Sequence, residues 1–283
     1  MKRFKATRLT TRAGIALAFG LAIIGQAVST PQGKAAEPPG PFPVAVSDDL
    51  LLVFSKPKAG REAEFEKWYA RHLEEFVRIP GVSAAQRFVW VKQVNISDGL
   101  LEDVAMYRIA ASNAAGLDAT VQARMQDGRM ENGAEFYEPS MFHGLYRPLA
   151  LATPARSIPG ANPKPLGAGP VKGDFLMVFS DPKTPDQEEA YNAWYDHQHM
   201  PDVLRVPGFV AAQRFVRVGG DWKLPRYLVI FQFETGDPQV TNQEIGRRIR
   251  EKITVMSPAF GSALGAMATP AGPAAFASAG APK

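Results

Sequence analysis

Apolar and polar positions follow the same order twice along the chain. Short apolar runs at 50–54 and 175–179 each lead into a Ser-x-Pro sequence, which predicts a first strand that ends there. The first of these strands is followed by apolar and aromatic residues at spacings of three and four, a pattern typical of a helix with one buried face. These residues are Phe65, Trp68, Tyr69, His72 and Phe76. A Pro-Gly pair ends the helix in both halves, at 80–81 and 207–208.

The rest of each half predicts the same elements. Further strands are expected at 84–94, 104–110 and 141–146, and again at 209–218, 226–233 and 260–267, with second helices at 113–126 and 240–254. Each half then has the order β-α-β-β-α-β. Because a four-stranded sheet with two helices on one face leaves its other face bare, that face must be covered. We therefore predict an α+β fold in which two ferredoxin-like units pack sheet to sheet within one chain.

The two halves also match residue by residue. The matched features are Trp-Tyr at 68–69 and 194–195, His72 and His199, and Ala-Ala-Gln-Arg-Phe-Val at 84–89 and 211–216. Such self-similarity predicts two copies of one unit rather than two unrelated domains.

The segments between and around the copies differ in composition. Repeat one is expected at 48–150 and repeat two at 173–268, joined by a Pro/Gly-rich linker at 151–172. An extended leader at 37–47 precedes the first copy, and the Ala/Pro/Gly-rich end at 269–283 is expected to be disordered.

The first 36 residues change the interpretation of the charge. Five basic residues and no acid fall within the first twelve, and the sixteen residues from Ala13 to Val28 carry no charge. This is the pattern of a signal peptide, with cleavage expected between Ser29 and Ala36, although an uncleaved N-terminal anchor is the alternative. We expect a periplasmic or secreted protein without stable membrane insertion after cleavage and, because the chain has no cysteine, without disulfides. Without the five basic residues the net charge falls from +4 to −1, which excludes the basic face that nucleic-acid binding needs.

One motif carries a family resemblance. The residues 194–209 read Trp-Tyr-x-x-x-His-x-Pro-Asp-x-x-x-x-Pro-Gly-Phe. This motif, in a tandem repeat, resembles the EthD-like branch of the dimeric α+β-barrel superfamily, and the resemblance covers both repeats. It implies a barrel of a type that serves lyases, cyclases, isomerases, monooxygenases, haem enzymes and plain binding proteins.

The resemblance implies an active site in repeat two. It assigns His199 as general acid or base, a role that imidazole suits near neutral pH. Asp202 follows His199 by three residues and can orient the ring, and Tyr195 precedes it by four and can donate a hydrogen bond. Repeat two has one more residue than repeat one between the tyrosine and the histidine, and Pro201 lies nearby. This insertion predicts a π-bulge, while a frayed helix end is the alternative.

His72 occupies the matching position in repeat one. It lies in the middle of the apolar stripe, where it is either a ligand contact or a packed histidine whose nitrogens bond to a neighbour such as Gln86. Trp194 is assigned to substrate binding beside His199.

Arg87 and Arg214 occupy matched strand positions between apolar neighbours. If their face looks into the barrel, they are expected to bind a carboxylate or phenolate. The alternative is an ion pair with Glu75 or with Asp202.

These features predict an exported enzyme without a cofactor. Its substrate is a small, largely apolar and aromatic molecule, and its reaction is acid/base chemistry of the lyase, cyclase, isomerase or monooxygenase type. The alternative is a non-catalytic ligand-binding or assembly protein, and a homo-oligomer is compatible with either. His197, His199 and Asp202 are too few ligands for a closed metal site, and haem, which related barrels bind through one histidine, is the weaker alternative.

Overall fold

The protein is described by a computed structural model that covers residues 47–95, 103–139, 141–161, 175–221, 224–233 and 237–278. The expected signal peptide and the expected leader as far as residue 46 lie outside the described residues. The strands are β1 (Asp49–Ser55), β2 (Val82–Asn95), β3 (Asp103–Ile109), β4 (Phe142–Pro148), β5 (Thr153–Pro154), β6 (Phe175–Pro182), β7 (Phe209–Gly220), β8 (Tyr227–Phe233), β9 (Phe260–Pro270) and β10 (Ala275–Phe276). The helices are α1 (Glu62–Phe76), α2 (Ala111–Ala114), α3 (Leu117–Gln126), α4 (Glu188–Trp194), α5 (Met200–Leu204) and α6 (Pro238–Arg250).

Eight strands close into one barrel. The first half has the antiparallel order β2-β3-β1-β4 and the second half has the equivalent order β7-β8-β6-β9. The edge strand β4 pairs with β7, and β9 pairs with β2, so hydrogen bonds join the two sheets along both seams. The predicted fold class of two ferredoxin-like units forming an intramolecular α+β barrel is confirmed. The closure also removes the free edges that two merely stacked sheets would expose.

The interior of the barrel is filled by apolar side chains from both halves. Phe54 lies 5.8 Å from Phe179, and Phe88 lies 4.7 Å from Phe175, measured between ring centroids. All four rings are buried. Fully burying each such side chain stabilises the fold by about 1.5–3 kcal/mol. These contacts cross between the halves, so the same burial that forms the core also holds the two repeats together.

The outer faces of the sheets carry two further cores beneath the helices. In repeat one, α1 contributes the aromatic stripe that the spacing predicted, and Phe65, Trp68, Tyr69, His72 and Phe76 are all buried. In repeat two, Tyr191, Trp194 and Tyr195 occupy the matching layer. The candidate chemistry of both repeats therefore lies between helix and sheet, outside the barrel.

Parts of the expected linker and tail are ordered. Thr153–Pro154 pairs with β7, and Ala155 is buried against repeat two. Ala275–Phe276 pairs with β2, which differs from the disorder expected for 269–283. The physical reason is that backbone pairing with β2 and burial of Ala275 do not require an apolar periodicity in the segment. Residues 162–174 and 279–283 lie outside the described residues.

Candidate functional site

A cavity of about 320 Å³ lies in repeat one between α1, α3 and the outer face of the sheet. Most of its wall is apolar or aromatic: Leu51, Val53, Trp68, Tyr69, Phe76, Tyr107, Leu117, Val121, Met125, Ala134, Tyr137 and Met141. Its polar lining residues are His72, Asp118, Gln122, Gln126, Asn132 and His143. A mainly apolar wall with a few polar groups is the usual character of a small-molecule site.

His72 projects from α1 into this wall. Its ring stacks on Trp68 at 4.7 Å with an interplanar angle of 26°, because positions four apart lie above one another on a helix. Nδ1 is buried without a hydrogen-bond partner, which leaves Nε2 as the nitrogen available to a ligand. Burial lowers the pKa of His72 to about 4, so the imidazole is neutral at neutral pH. Gln86 is not its partner, since the Gln86 amide donates to the carbonyl oxygen of Gly272.

Tyrosines form the floor of the cavity beside His72. Burial raises the pKa of Tyr69 to about 12 and that of Tyr107 well above its ordinary value, so both phenols stay protonated. Tyr107 also packs against Phe76, with ring centroids 4.1 Å apart. The floor is therefore an uncharged aromatic surface.

The sequence did not lead us to His143, which forms part of the sheet wall of the same cavity. Strand alternation was the signal that could have found it. Phe142 and Tyr146 belong to the barrel interior, so His143 and Leu145 point to the helix side.

Arg87 lies on the helix side of the sheet and not in the barrel. Its guanidinium lies over the rings of Phe65 and Tyr69, at 5.5 and 5.7 Å from their centroids. Nη1 contacts the Asp103 carboxylate at 2.5 Å, and Nη2 lies 3.7 Å from Glu66. The ion pair expected as the alternative is present, but with Asp103 and Glu66 instead of Glu75.

The corresponding helix of repeat two contains the predicted π-helical turn, at Tyr195–His199. Trp194 and His199 are five residues apart, yet their rings stack with centroids 4.5 Å apart and an interplanar angle of 26°. This is nearly the geometry of Trp68 and His72, which are only four residues apart. The wider turn therefore absorbs the inserted residue and preserves the Trp–His stack. The Trp194 indole donates to the carbonyl oxygen of Val255 at 2.9 Å.

The structure brings Tyr195 close to His199 but directs Asp202 elsewhere. The Tyr195 and His199 ring centroids are 4.9 Å apart, while the Asp202 carboxylate accepts a hydrogen bond from Arg205 at 2.7 Å. Nδ1 of His199 is buried without a hydrogen-bond partner, so Asp202 does not orient it there. Burial, with a smaller contribution from Arg214, lowers the pKa of His199 to about 4. The assignment of a catalytic role to His199 stays a prediction.

Arg214 occupies an aromatic cage on the helix side of repeat two. Its guanidinium lies 4.5 Å from the Tyr195 ring centroid, and the rings of Tyr191 and Tyr227 lie within 5.7 Å. It donates to Asp196 at 2.6 Å and to Asn192 at 2.7 Å. With both of its outer nitrogens engaged, Arg214 is an element of the packing in this structure, and its expected partner Asp202 is not used.

The same residues fit a metal ion or haem poorly. Within the described ranges, no group of three or more His, Asp or Glu side chains is arranged to hold a metal ion. The repeat-one cavity does not fit haem well, because its volume is at the lower end of the roughly 300–1,000 Å³ of ligand pockets and none of its lining residues is Arg or Lys. The propionates of haem would lack a cationic partner there. Among the helices that the structure describes, none is long and apolar enough to cross a membrane.

Comparison with known proteins gives only distant structural similarity. No protein-family model and no curated protein matches the chain. Solved structures that resemble it include an anthrone oxidase-like protein, at 13% identity and a TM-score of 0.47, over 82% of this chain and 93% of the other. The "Putative monooxygenase" of Fusobacterium nucleatum has 8% identity and a TM-score of 0.46, over 79% and 93%. A chlorite dismutase variant of Candidatus Nitrospira defluvii, in complex with cyanide, has 10% identity and a TM-score of 0.46, over 80% and 91%. Because these TM-scores lie below 0.5, the fold assignment rests on the strand order of the chain itself.

Proposed function

We propose that the protein binds a small, largely apolar aromatic molecule in the repeat-one cavity and acts on it by acid/base chemistry without a cofactor. The observation that carries this proposal is the cavity itself: about 320 Å³, with aromatic walls and a neutral histidine, His72, in its lining. The filled barrel interior supports the same choice, since a ligand has more room between helix and sheet than inside the barrel.

The chemistry follows from the protonation states in the cavity. A neutral imidazole accepts a proton from an acidic O–H or C–H group of a bound ligand. Tyr69 and Tyr107 remain protonated, so they add no negative charge to the cavity in which the anion forms. Elimination, cyclisation, isomerisation and oxygenation of an aromatic carbon acid can each begin with this proton transfer. The Trp-Tyr…His…Pro-Gly motif supports placement in the EthD-like branch as the finer form of the proposal.

The repeat-two site is a second candidate. It is favoured by the π-helical turn at Tyr195–His199, because such turns are frequent at functional sites. There His199 is the acid or base and Tyr195 its neighbour, with Trp194 as the aromatic wall.

A non-catalytic binding protein is the alternative from another class. In both His72 and His199, the Nδ1 atom lacks the hydrogen-bond partner that usually fixes the tautomer of a catalytic imidazole. This missing partner favours the binding protein. Binding with no turnover is the result that this alternative predicts.

The first expected result concerns binding. Met125→Trp fills the cavity from α3 and is expected to weaken binding of 4-nitroanisole at least roughly tenfold, which corresponds to about 1.4 kcal/mol. Ala123→Trp is the matched control, since Ala123 is exposed on the same helix and is not part of the cavity wall. Calorimetric titration measures both, and equal affinities in the two variants would contradict the location of the site.

Turnover distinguishes the remaining candidates. The wild-type protein is expected to accelerate deuterium uptake at C1 of 2-tetralone in deuterium oxide, followed by NMR. His72→Gln should lose this acceleration and His199→Gln should keep it. The opposite result would move the site to repeat two, and binding without any acceleration would favour the binding protein.

We also propose that the mature protein is exported. The five basic residues followed by the uncharged Ala13–Val28 support this proposal. N-terminal sequencing of protein from the native host is expected to find a new terminus between residues 30 and 37. An intact Met1 in the membrane fraction would show an anchor instead.

A further inference from the structure

Helix α3 presents its polar residues to the repeat-one cavity and not to solvent. Two adjacent rows of its side chains, each with a spacing of four residues, line the cavity wall. One row is apolar and the next is polar: Leu117, Val121 and Met125, then Asp118, Gln122 and Gln126. On the opposite side of the helix, Ala119 and Ala123 are exposed to solvent. A surface helix usually has the reverse arrangement, which indicates that the polar row serves the cavity.

The two glutamines of this row have amide groups that are available to a ligand. Gln122 is half-buried in the wall, and Gln126, one turn further along, lies at the rim, where it is also exposed. Within the part of the chain that the structure describes, neither side chain makes a hydrogen bond. Each amide offers one oxygen as an acceptor and two N–H groups as donors. The row can therefore bind a polar group of a ligand without giving up an internal contact.

The cavity wall has no basic side chain that could balance the charge of an anionic ligand. Among the lining residues that the structure describes, none is Arg or Lys, and Arg124, the basic residue of α3, is buried outside the lining. Burial lowers the pKa of His72 to about 4, so the imidazole brings no positive charge at neutral pH. A carboxylate that leaves water for this mainly apolar wall therefore loses hydration without gaining an ion pair.

We propose that the repeat-one cavity selects an uncharged aromatic ligand whose carbonyl, hydroxyl or carboxamide group hydrogen-bonds to Gln122 and Gln126, and that it rejects the corresponding carboxylate. The ring of the ligand packs against the aromatic wall that includes Trp68 and Tyr107, and its polar group lies towards α3. This inference rests on the proposed function of the cavity and names the class of substrate that it takes. A carbonyl group beside an acidic C–H bond meets both requirements, because it binds the amides and makes the proton available to His72.

The test uses the full chain and three ligands of one shape that differ in charge at neutral pH. They are 2-naphthamide, which is neutral, 2-naphthoate, which is an anion, and 2-naphthamidine, which is a cation. Calorimetric titration is expected to give a Kd for 2-naphthamide at least roughly tenfold lower than that for 2-naphthoate, and also lower than that for 2-naphthamidine. Tighter binding of the amidine than of the amide would overturn the proposal, since it would show that the carboxylate of Asp118 selects a cation.

Substitutions of Gln122 test the contact itself. Gln122→Lys is expected to tighten 2-naphthoate binding at least roughly tenfold, because it supplies a charge-assisted hydrogen bond. Ala123→Lys is the matched control, since it adds the same charge to the neighbouring position outside the cavity wall and should leave the Kd within about threefold. Gln122→Leu is expected to weaken 2-naphthamide binding about threefold to tenfold, whereas the apolar analogue 2-methylnaphthalene should bind this variant at least as tightly as the wild-type protein.

Met125→Trp separates the possible failures, because it fills the cavity from the same helix and must weaken every probe that binds there. Absence of binding by all of the probes and by 4-nitroanisole, or binding that Met125→Trp leaves unchanged, would overturn the proposed function and this inference with it. If Met125→Trp weakens both 2-naphthamide and 2-naphthoate but their wild-type affinities are equal, only the selection of a neutral ligand is wrong. Equal effects of Gln122→Lys and Ala123→Lys would overturn the assignment of Gln122, because a distant field and not a contact would then be responsible.

Discussion

Replacing Arg87 by methionine is expected to lower the free energy of unfolding by about 3–5 kcal/mol, because the change breaks a buried ion pair by removing one of its two members. The Asp103 side chain is only 5% exposed and lies 2.5 Å from the guanidinium. Methionine fills much of the same volume, so the loss reports the broken ion pair and not a cavity. Urea unfolding of the purified protein measures the change.

The matched control is Arg214→Met in repeat two. Its partner Asp196 is 49% exposed and returns to water when the arginine is lost. The cost then comes from the cation–π contacts, about 0.5–2 kcal/mol, and from the hydrogen bond to Asn192, about 0.5–1.5 kcal/mol. The double variant Arg87→Met, Asp103→Leu should recover most of the lost stability, since an apolar pair can replace a buried ion pair. Equal costs for the two arginine variants, or no recovery in the double variant, would contradict this account.

The position of Arg87 illustrates what the sequence could and could not predict. Alternation correctly placed Arg87 on the same face as Ala85, and Ala85 lies under the helices. Its partner could not be predicted, because Asp103 lies diagonally across from it through the register of β2 and β3. That register depends on a connection whose length the periodicity does not constrain.

The order of strands and helices was predictable because it depends on local periodicity. The Pro-Gly stops and the repeated motif located the first long helical segment of each half, α1 and the segment from α4 to α5, and the strand after it. The two seams that close the barrel were not predictable in detail, because β4–β7 and β2–β9 join residues far apart in the chain. Burial of the bare faces required contact between the sheets, but it did not specify edge-to-edge hydrogen bonding.

The candidate site was likewise predictable from the sequence only in part. Comparison of the two copies predicted the π-helical turn, since one inserted residue in a helix has few ways to be absorbed. The same spacing argument failed to pair Asp202 with His199, because Arg205 is also three residues from Asp202 and carries a full charge. The cavity of repeat one depends on how α3 and the segment around Tyr137 cover the sheet, and no periodic pattern reports that packing.

Stability is expected to fall as the pH is lowered from about 6.5 to 4, because two histidines are buried in their neutral form. His72 and His199 both have a pKa of about 4 in the folded protein against 6.5 as the ordinary value. Between these values the unfolded chain binds more protons than the folded one, so the free energy of unfolding rises with pH through the window. The stabilisation is fully present above about pH 6.5 and is lost as the pH falls through 4. Each histidine contributes up to about 3 kcal/mol by this linkage.

The slope of stability against pH assigns this effect to the histidines. His72→Gln should remove about half of the slope between pH 4 and 6.5, and the double variant with His199→Gln should remove most of it, whatever each change costs at pH 7. Chemical denaturation at closely spaced pH values measures the slope directly. A slope that both substitutions leave unchanged would mean that carboxylates, and not the two stacked imidazoles, govern acid unfolding. His72 lines the cavity of repeat one, whereas His199 belongs to the π-helical turn of repeat two. A bound aromatic ligand should therefore alter only the contribution to the pH slope of the histidine that it contacts. The slope measured with 4-nitroanisole present thus also reports which repeat binds this ligand.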